Sequence, residues 1–306
     1  MAENSAISWT DHTFNPWEGC QKVGPGCDNC YAEARNARFN TTAINWGPGA
    51  PRRRTSVSNW NLPLKWDRQA KAAGVRARVF CASLADVFDN MVDPQWRLDL
   101  YALIRATPNL DWLLLTKRVG NVNGWGLPLA EDGCNVLPNL WIGATIVNQE
   151  EADRDIPKLL EVPARVRFLS MEPLLGPVSL LPWIGAGHAG PGGAWCQGVQ
   201  WVIVGGESGT NARPMHPDWA RSLRDQCAAA GVPFHFKQIG DAVPVDSEVD
   251  CDHGPTIYPL DADVVLPGER YRIHQHDGME FVRVPNKGVG RLLDGVEHAA
   301  FPEPRP

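Results

Sequence analysis

One pattern recurs along this chain and limits its fold more than any other. A short apolar run rich in Val, Ile, Leu and Phe is followed by a polar turn and then by a longer stretch at helical spacing. Successive βα units produce that rhythm. Strands are predicted over residues 7–14, 78–83, 112–116, 140–145, 166–170, 201–204 and 233–236. Helices are predicted over 31–38, 94–106, 148–160 and 217–230, the last opening on Pro217 and Asp218 and stopping at Gly231. The strand runs are nearly continuous in apolar residues and do not alternate, as in a parallel sheet covered on both faces or closed on itself. The expected class is therefore α/β, a full or partial (β/α) barrel of about six to seven parallel strands. A doubly wound open sheet is the runner-up, because periodicity does not distinguish closure from an open edge.

The barrel is expected to occupy residues 1–240, interrupted by two segments that break the rhythm. Residues 40–66 are rich in Gly, Pro and Trp, carry Arg52, Arg53 and Arg54, and read as an insertion after the first helix. Residues 185–198 form a Gly-rich loop before the sixth strand. Residues 241–306 read as a small C-terminal extension, in which 271–276 and 279–284 flank Asp277-Gly278 as a β-hairpin does. With 13 Trp and 26 Pro beside four Tyr, the loops belong to rigid, packed structure and not to disorder. Trp112, Trp141 and Trp201 lie inside predicted strands and are expected in the core.

A net charge of −6 argues against a protein that coats nucleic acid without specificity, since that affinity comes from many Lys and Arg neutralising phosphate. It leaves room for a local basic groove. No stretch approaches the roughly 20 apolar residues of a membrane helix, and the start MAENSAISWTDHT has neither a basic nor an apolar leader region. A cytoplasmic location with no membrane partner is expected.

Polar residues gather just past the predicted strand ends: Asn15 and Glu18, Ser83 and Asp86, Thr116 and Lys117, Thr145, Ser170 and Glu172, Gly205 to Ser208, and Lys237 with Gln238. In barrels and open α/β sheets alike, that rim is where sites are built. Lys117, Arg118, Arg213 and Lys237 put positive charge there, suited to a carboxylate or phosphate. The segment Gly205-Gly206-Glu207-Ser208-Gly209 would let backbone N–H groups approach a ligand, although a tight strand-to-helix turn explains the glycines equally well. It has neither P-loop nor dinucleotide-binding spacing. Arg52–Arg54 with Trp46 and Trp60 would suit phosphate contact and base stacking, or equally a solvated patch with apolar anchors. His274 and His276 alternate on one predicted strand and so face one side, as a metal pair or as an exposed edge.

Of eight cysteines, Cys81, Cys134, Cys196, Cys227 and Cys251 stand alone, whereas Cys20, Cys27 and Cys30 form C-x6-C-x2-C with Gly24, Pro25 and Gly26 between the first two. The count is too low and too scattered for a disulfide scaffold, and cytoplasmic thiols stay reduced. Three readings fit the triplet. An iron–sulfur cluster bound by three Cys keeps one iron free for a ligand. Structural zinc needs a distant fourth ligand such as His253 or Cys251. The third reading is three reduced thiols of a stable loop.

Set after the first strand and opening the first helix, the triplet resembles that of the radical S-adenosylmethionine enzymes. The spacing is three residues longer than their usual C-x3-C-x2-C, and Asn29 stands where an aromatic residue commonly precedes the last cysteine, with Tyr31 following instead. A further resemblance covers most of the chain. It is carried by Asn15-Pro16-Trp17-Glu18-Gly19-Cys20, Ser83-Leu84-Ala85-Asp86-Val87-Phe88, Leu115-Thr116-Lys117-Arg118, Ser170-Met171-Glu172-Pro173-Leu174, Gly205-Gly206-Glu207-Ser208-Gly209, Phe236-Lys237-Gln238 and Gly290-Arg291-Leu292-Leu293-Asp294-Gly295. These runs resemble the phage and prophage three-cysteine-motif family, a domain of unknown function.

The resemblance to radical enzymes implies a 4Fe-4S cluster on Cys20, Cys27 and Cys30, with S-adenosylmethionine bound at its free iron. It implies cofactor contacts among Ser83, Asp86, Lys117, Ser170, Glu172, Gly205, Gly206, Glu207 and Lys237. By strand position, Ser83 and Asp86 would take the methionine amino group, while Gly206 and Glu207 would sit nearer the adenosine or the substrate. The expected function is generation of a 5′-deoxyadenosyl radical with an external electron donor. The phage resemblance points to a nucleic-acid base or modified nucleotide as substrate, in DNA modification or repair in a host cytoplasm. Two other classes are a zinc-binding, non-catalytic nucleic-acid or protein-binding module, and a metal-independent barrel hydrolase using Glu172 and Glu207 as acid and base.

Overall fold

A computed structural model describes residues 5–39, 45–128, 136–185, 188–189, 195–196, 198–209, 211–244, 273–276, 279–283 and 291–302. Seven strands form its central sheet: β1 (His12–Phe14), β2 (Ala77–Cys81), β3 (Leu110–Thr116), β4 (Leu140–Thr145), β5 (Val166–Met171), β6 (Trp201–Gly205) and β7 (Phe234–Gln238). They lie side by side in chain order, and every pairing is parallel. The sheet is a half-barrel.

Side chains alternate between its two faces. Phe80, Leu113, Trp141, Val166, Phe168, Trp201 and Ile203 fill the concave side with Trp9, while Val79, Cys81, Trp112, Leu114, Ile142, Leu169, Val202 and Val204 pack outward under the helices. Because both faces are buried, neighbouring residues are mostly apolar, and this is why the strands read as nearly continuous runs. Trp112, Trp141 and Trp201 are core residues as expected.

The outer layer contains α1 (Tyr31–Phe39), α2 (Leu62–Ala73), α3 (Pro94–Ala106), α4 (Gln149–Leu160) and α5 (Pro217–Ala230). Their ends are punctuated locally. Asp93 accepts from Gln95 N ahead of Pro94, Asn148 accepts from Glu151 N, and Gly231 closes α5 in the left-handed region at φ 66°. Two expectations are corrected. Only His12–Phe14 of residues 7–14 is strand; the part before it turns under the barrel, where Thr10 Oγ1 donates to Arg78 O. Residues 40–66 are not all loop, since Val57–Trp60 is a helical turn and α2 begins at Leu62. Pro63, Trp66 and Ala70 form the buried face of α2, a helical spacing hidden by the Trp- and Pro-rich composition.

The arginine cluster in that segment is internal or paired. Arg52 is buried, with Nε and Nη2 on Asp89 Oδ2 at 2.8 and 2.7 Å and Nη1 on the carbonyls of Asn45 and Ala50. Arg53 pairs with Glu18, and Arg54 pairs with Asp99 at 2.6 Å while lying over Trp60. The triple arginine therefore braces the fold.

Ser8 and the segment Ala299 to Phe301 meet on the concave side. Ser8 Oγ lies 2.9 Å from His235 Nε2, Ala299 bridges to His235, and Trp201 Nε1 donates to Ala300 O. Phe301 packs 5.3 Å from Trp201, with the Arg78 guanidinium 3.7 Å above it. Further out, β8 (Ala242–Pro244), β9 (Ile273–His276) and β10 (Met279–Arg283) form an antiparallel sheet in the order β8-β10-β9. β9 and β10 are the expected hairpin pair, although Asp277, Gly278, Cys134, Cys251 and His253 lie outside the described residues. The side chains of His274, His276 and Cys196 also lie outside the description.

His235 makes this closure pH-sensitive. Burial, with Arg291, Arg78 and Lys237 nearby, pushes its imidazole from 6.5 down to about 4. The unfolded chain thus takes up a proton that the folded chain refuses, and stability falls as pH drops through that window. Between pH 6.5 and 5 the loss is about 1.5 kcal/mol, the slope rising from roughly half to nearly all of about 1.36 kcal/mol per pH unit. Urea unfolding at the two pH values should show it, and His235→Gln should flatten the slope. An equal slope in the variant would refute the assignment.

Candidate functional site

The C-terminal rim of the half-barrel opens into a cavity of about 470 Å³. Cys20, Cys27, Cys30, Ser83, Asp86, Lys117, Ser170, Glu172, Gly206, Glu207 and Lys237 all line it. Gly205 does not: it is buried at the end of β6, and the space where its Cβ would stand is taken by the Glu172 carboxylate. Trp9, Phe80 and Leu115 form part of an apolar floor.

The cysteine loop reaches this cavity through close packing. Pro25–Cys27 makes a single 3-10 turn, and a Cβ on Gly26 would stand 2.8 Å from Val147 Cγ1 and 3.4 Å from Lys117 Cε. Only glycine lets the loop lie this near β3 and the segment after β4. Cys30 immediately precedes α1, whose Ala34 N donates to the Cys30 carbonyl. On the other side, Gly47 N donates to Cys20 O, and the backbone of Cys20 bridges to that of Trp46. The segment pinned by Arg52 and Asp89 thus holds the first cysteine.

Asp86 and Glu207, both expected to meet the cofactor, are taken up by protein donors. Asp86 Oδ1 accepts from Phe88 N and Thr116 Oγ1, and Oδ2 from Lys117 N and Arg118 Nη1 at 3.0 Å. Glu207 accepts from Arg213 N, Nε and Nη2 and from Asn29 Nδ2. Burial alone would raise the Glu207 pKa, but the hydrogen bonds from Arg213 and Asn29 hold it below the ordinary carboxylate range. Arg213 also binds Asp28 and the carbonyl of Pro25, so the pair clasps the cysteine loop to the end of β6. An ionised, saturated Glu207 is a poor general acid, which counts against the paired-carboxylate hydrolase.

Other groups face the cavity with capacity to spare. Lys117 Nζ has the Thr145 hydroxyl at 3.3 Å, and Lys237 Nζ pairs with Glu172 Oε1 at 2.8 Å. Ser83 Oγ accepts from Asn15 Nδ2, while the Ser83 carbonyl accepts from Tyr31 OH at 2.7 Å. Cys20 is half-buried, and burial foremost, reinforced by Asp86, pushes its thiol up to about 11 while Arg118 opposes the shift. A thiol held neutral in this way is no free nucleophile, and metal ligation would deprotonate it.

Residues 4–302 match a family model described as "Protein of unknown function (DUF5131)". The chain belongs to this family. No curated protein matches it. Among solved structures, the DUF5131 chain is similar to a spore photoproduct lyase mutant, at 13% identity and a TM-score of 0.42. It is similar also to a second mutant of that lyase with bound AdoMet and dinucleoside spore photoproduct, at 12% identity and 0.43. Each match covers 92% of this chain and 71% of the other.

Among the described residues, no group of three His, Cys, Asp or Glu converges as it would around one ion. Three thiols nevertheless line one cavity. Mononuclear zinc needs its ligands within about 2.3 Å of a single point, whereas a multi-iron cluster is held by thiolates on separate irons. Three thiols on one cavity are a donor set of the kind such a cluster would use. Asn29 and Asp28 are residues that sequence reasoning left without a role; their partners, Glu207 and Arg213, lie far along the chain, where no local spacing signals them.

Proposed function

We propose that the chain is a radical S-adenosylmethionine enzyme that carries a 4Fe-4S cluster on Cys20, Cys27 and Cys30 and acts on a nucleic-acid base or modified nucleotide. The observation that carries this reading is the placement of all three thiols on one 470 Å³ cavity at the C-terminal rim of a parallel half-barrel. Cys20, Cys27 and Cys30 would hold the cluster, which would supply one-electron reductive cleavage of S-adenosylmethionine with the electron drawn from an external low-potential donor.

The chain's own residues bind, orient and exclude water. Lys117, with a hydroxyl as its hydrogen-bond partner, suits the cofactor carboxylate, and the Glu172 carboxylate beside Ser170 suits its amino group. Tyr31 fixes the Ser83 backbone from the α1 side. The floor of Trp9, Phe80 and Leu115 keeps water from a reactive carbon centre. At the C-terminal end of α1, the exposed Phe39 ring carries the Arg35 and Arg38 guanidinium groups at 5.4 Å each, a pairing of base-stacking surface with phosphate-binding charge.

Anaerobic reconstitution should yield a brown protein with about four irons per chain. Reduced and mixed with S-adenosylmethionine, it should release 5′-deoxyadenosine, seen by chromatography. Stoichiometric zinc with no iron retained would sink the reading.

A further inference from the structure

Arg118 is tied to the first cysteine in a way the cofactor contacts do not require. It follows β3, its side chain is 8% exposed, and its Nη1 lies 3.5 Å from Cys20 Sγ and 3.0 Å from Asp86 Oδ2. Nη2 donates to the Gln21 carbonyl at 2.9 Å, and its backbone N donates to Thr116 Oγ1 at 2.8 Å. The fork is therefore fixed at three points and aimed at one sulfur. Asp86 also accepts from Thr116 and Phe88, so the counter-ion cannot swing away. The next carboxylate, Asp89, is neutralised by Arg52.

We propose that Arg118 is a positioning residue that sets the reduction potential of a cluster held on Cys20, by donating a charge-assisted hydrogen bond to the cysteine sulfur. This rests on the cluster reading above. One-electron reduction adds a negative charge that the thiolate sulfurs share, and a buried donor favours the state with more negative charge on its acceptor. Arg118 thus raises the potential and eases reduction by a weak donor. Asp86 serves it by holding the guanidinium in place, which is why the carboxylate spends its oxygens on protein donors.

Wild type, Arg118→Gln and Arg118→Lys are reconstituted anaerobically, assayed for iron, and titrated with dithionite and redox mediators while the reduced cluster is followed by electron paramagnetic resonance. Arg118→Gln is expected to retain iron and to shift the reduction equilibrium about tenfold against reduction, about 59 mV for a one-electron couple. Arg118→Lys keeps the charge but cannot span Asp86, Gln21 and Cys20 together, so its potential should fall between the two. An unchanged potential in iron-loaded Arg118→Gln overturns the proposal. If Arg118→Gln holds no iron, Arg118→Lys decides: a potential below wild type supports tuning, and a wild-type value overturns it. A wild-type protein that takes up no iron defeats the cluster reading itself, before any variant is compared.

Discussion

Replacing Cys20, Cys27 or Cys30 by Ala should leave the reconstituted protein without iron and without 5′-deoxyadenosine formation, whereas Cys81→Ala and Cys227→Ala should keep both. The two controls are fully buried, Cys81 on β2 and Cys227 on α5, in the layer between sheet and helices. Burial raises both thiols, that of Cys227 to about 12, so neither offers a thiolate to a metal. Neither lines the cavity where the triplet sits. With one of three thiolates gone, no other described Cys or His lines the cavity to replace it. Iron per chain and the visible absorption of the cluster provide the measurement. Equal iron loss in all five variants would mean that the metal is adventitious.

The parallel sheet was legible because burial on both faces leaves a long apolar run, and β4 (Leu140–Thr145) lies where that run places it. β1 was overextended because Ile7 and Trp9 are as apolar as a strand yet serve as a plug beneath the barrel, a role that periodicity does not encode. The rim was legible too, since strand ends locate it, and most residues expected there line the cavity, although Asn15, Glu18, Gly205 and Arg213 do not. What the rim residues do was less so. Asp86 and Glu207 look like ligands in the sequence, but each is saturated by donors that only the fold brings near, Arg213 among them. Asn29 meets Glu207 across 178 positions of chain, and nothing local to either residue announces the contact. The cysteine triplet alone stands out by its spacing.

Arg213→Ala should loosen the cysteine loop and speed cluster loss by about ten- to a hundredfold, the effect of removing a charge-assisted interaction of roughly 1.5–3 kcal/mol. The arginine is 30% exposed and its partner Glu207 only 6%, so the Glu207 carboxylate would remain buried with Asn29 as its side-chain donor. Pro25 O and Asp28 would lose their tie to β6 at the same time, freeing the turn that bears Cys27. The loss should also become pH-dependent. In the native site Arg213 and Asn29 hold Glu207 ionised well below neutrality; without Arg213, the burial that opposes its charge prevails and the carboxyl takes up a proton as pH falls. A protonated Glu207 is a weaker acceptor for Asn29, so iron release to a chelator should be faster at pH 5.5 than at pH 8 in Arg213→Ala and nearly level over that range in the wild type. Arg213→Lys should recover part of the retention, since an ammonium keeps the charge but cannot span Glu207, Asp28 and Pro25 together. Wild-type release rates in Arg213→Ala at both pH values would show that the loop keeps its place without the clasp, leaving its packing through Gly26 against Val147 and Lys117 as the force that positions the cysteines.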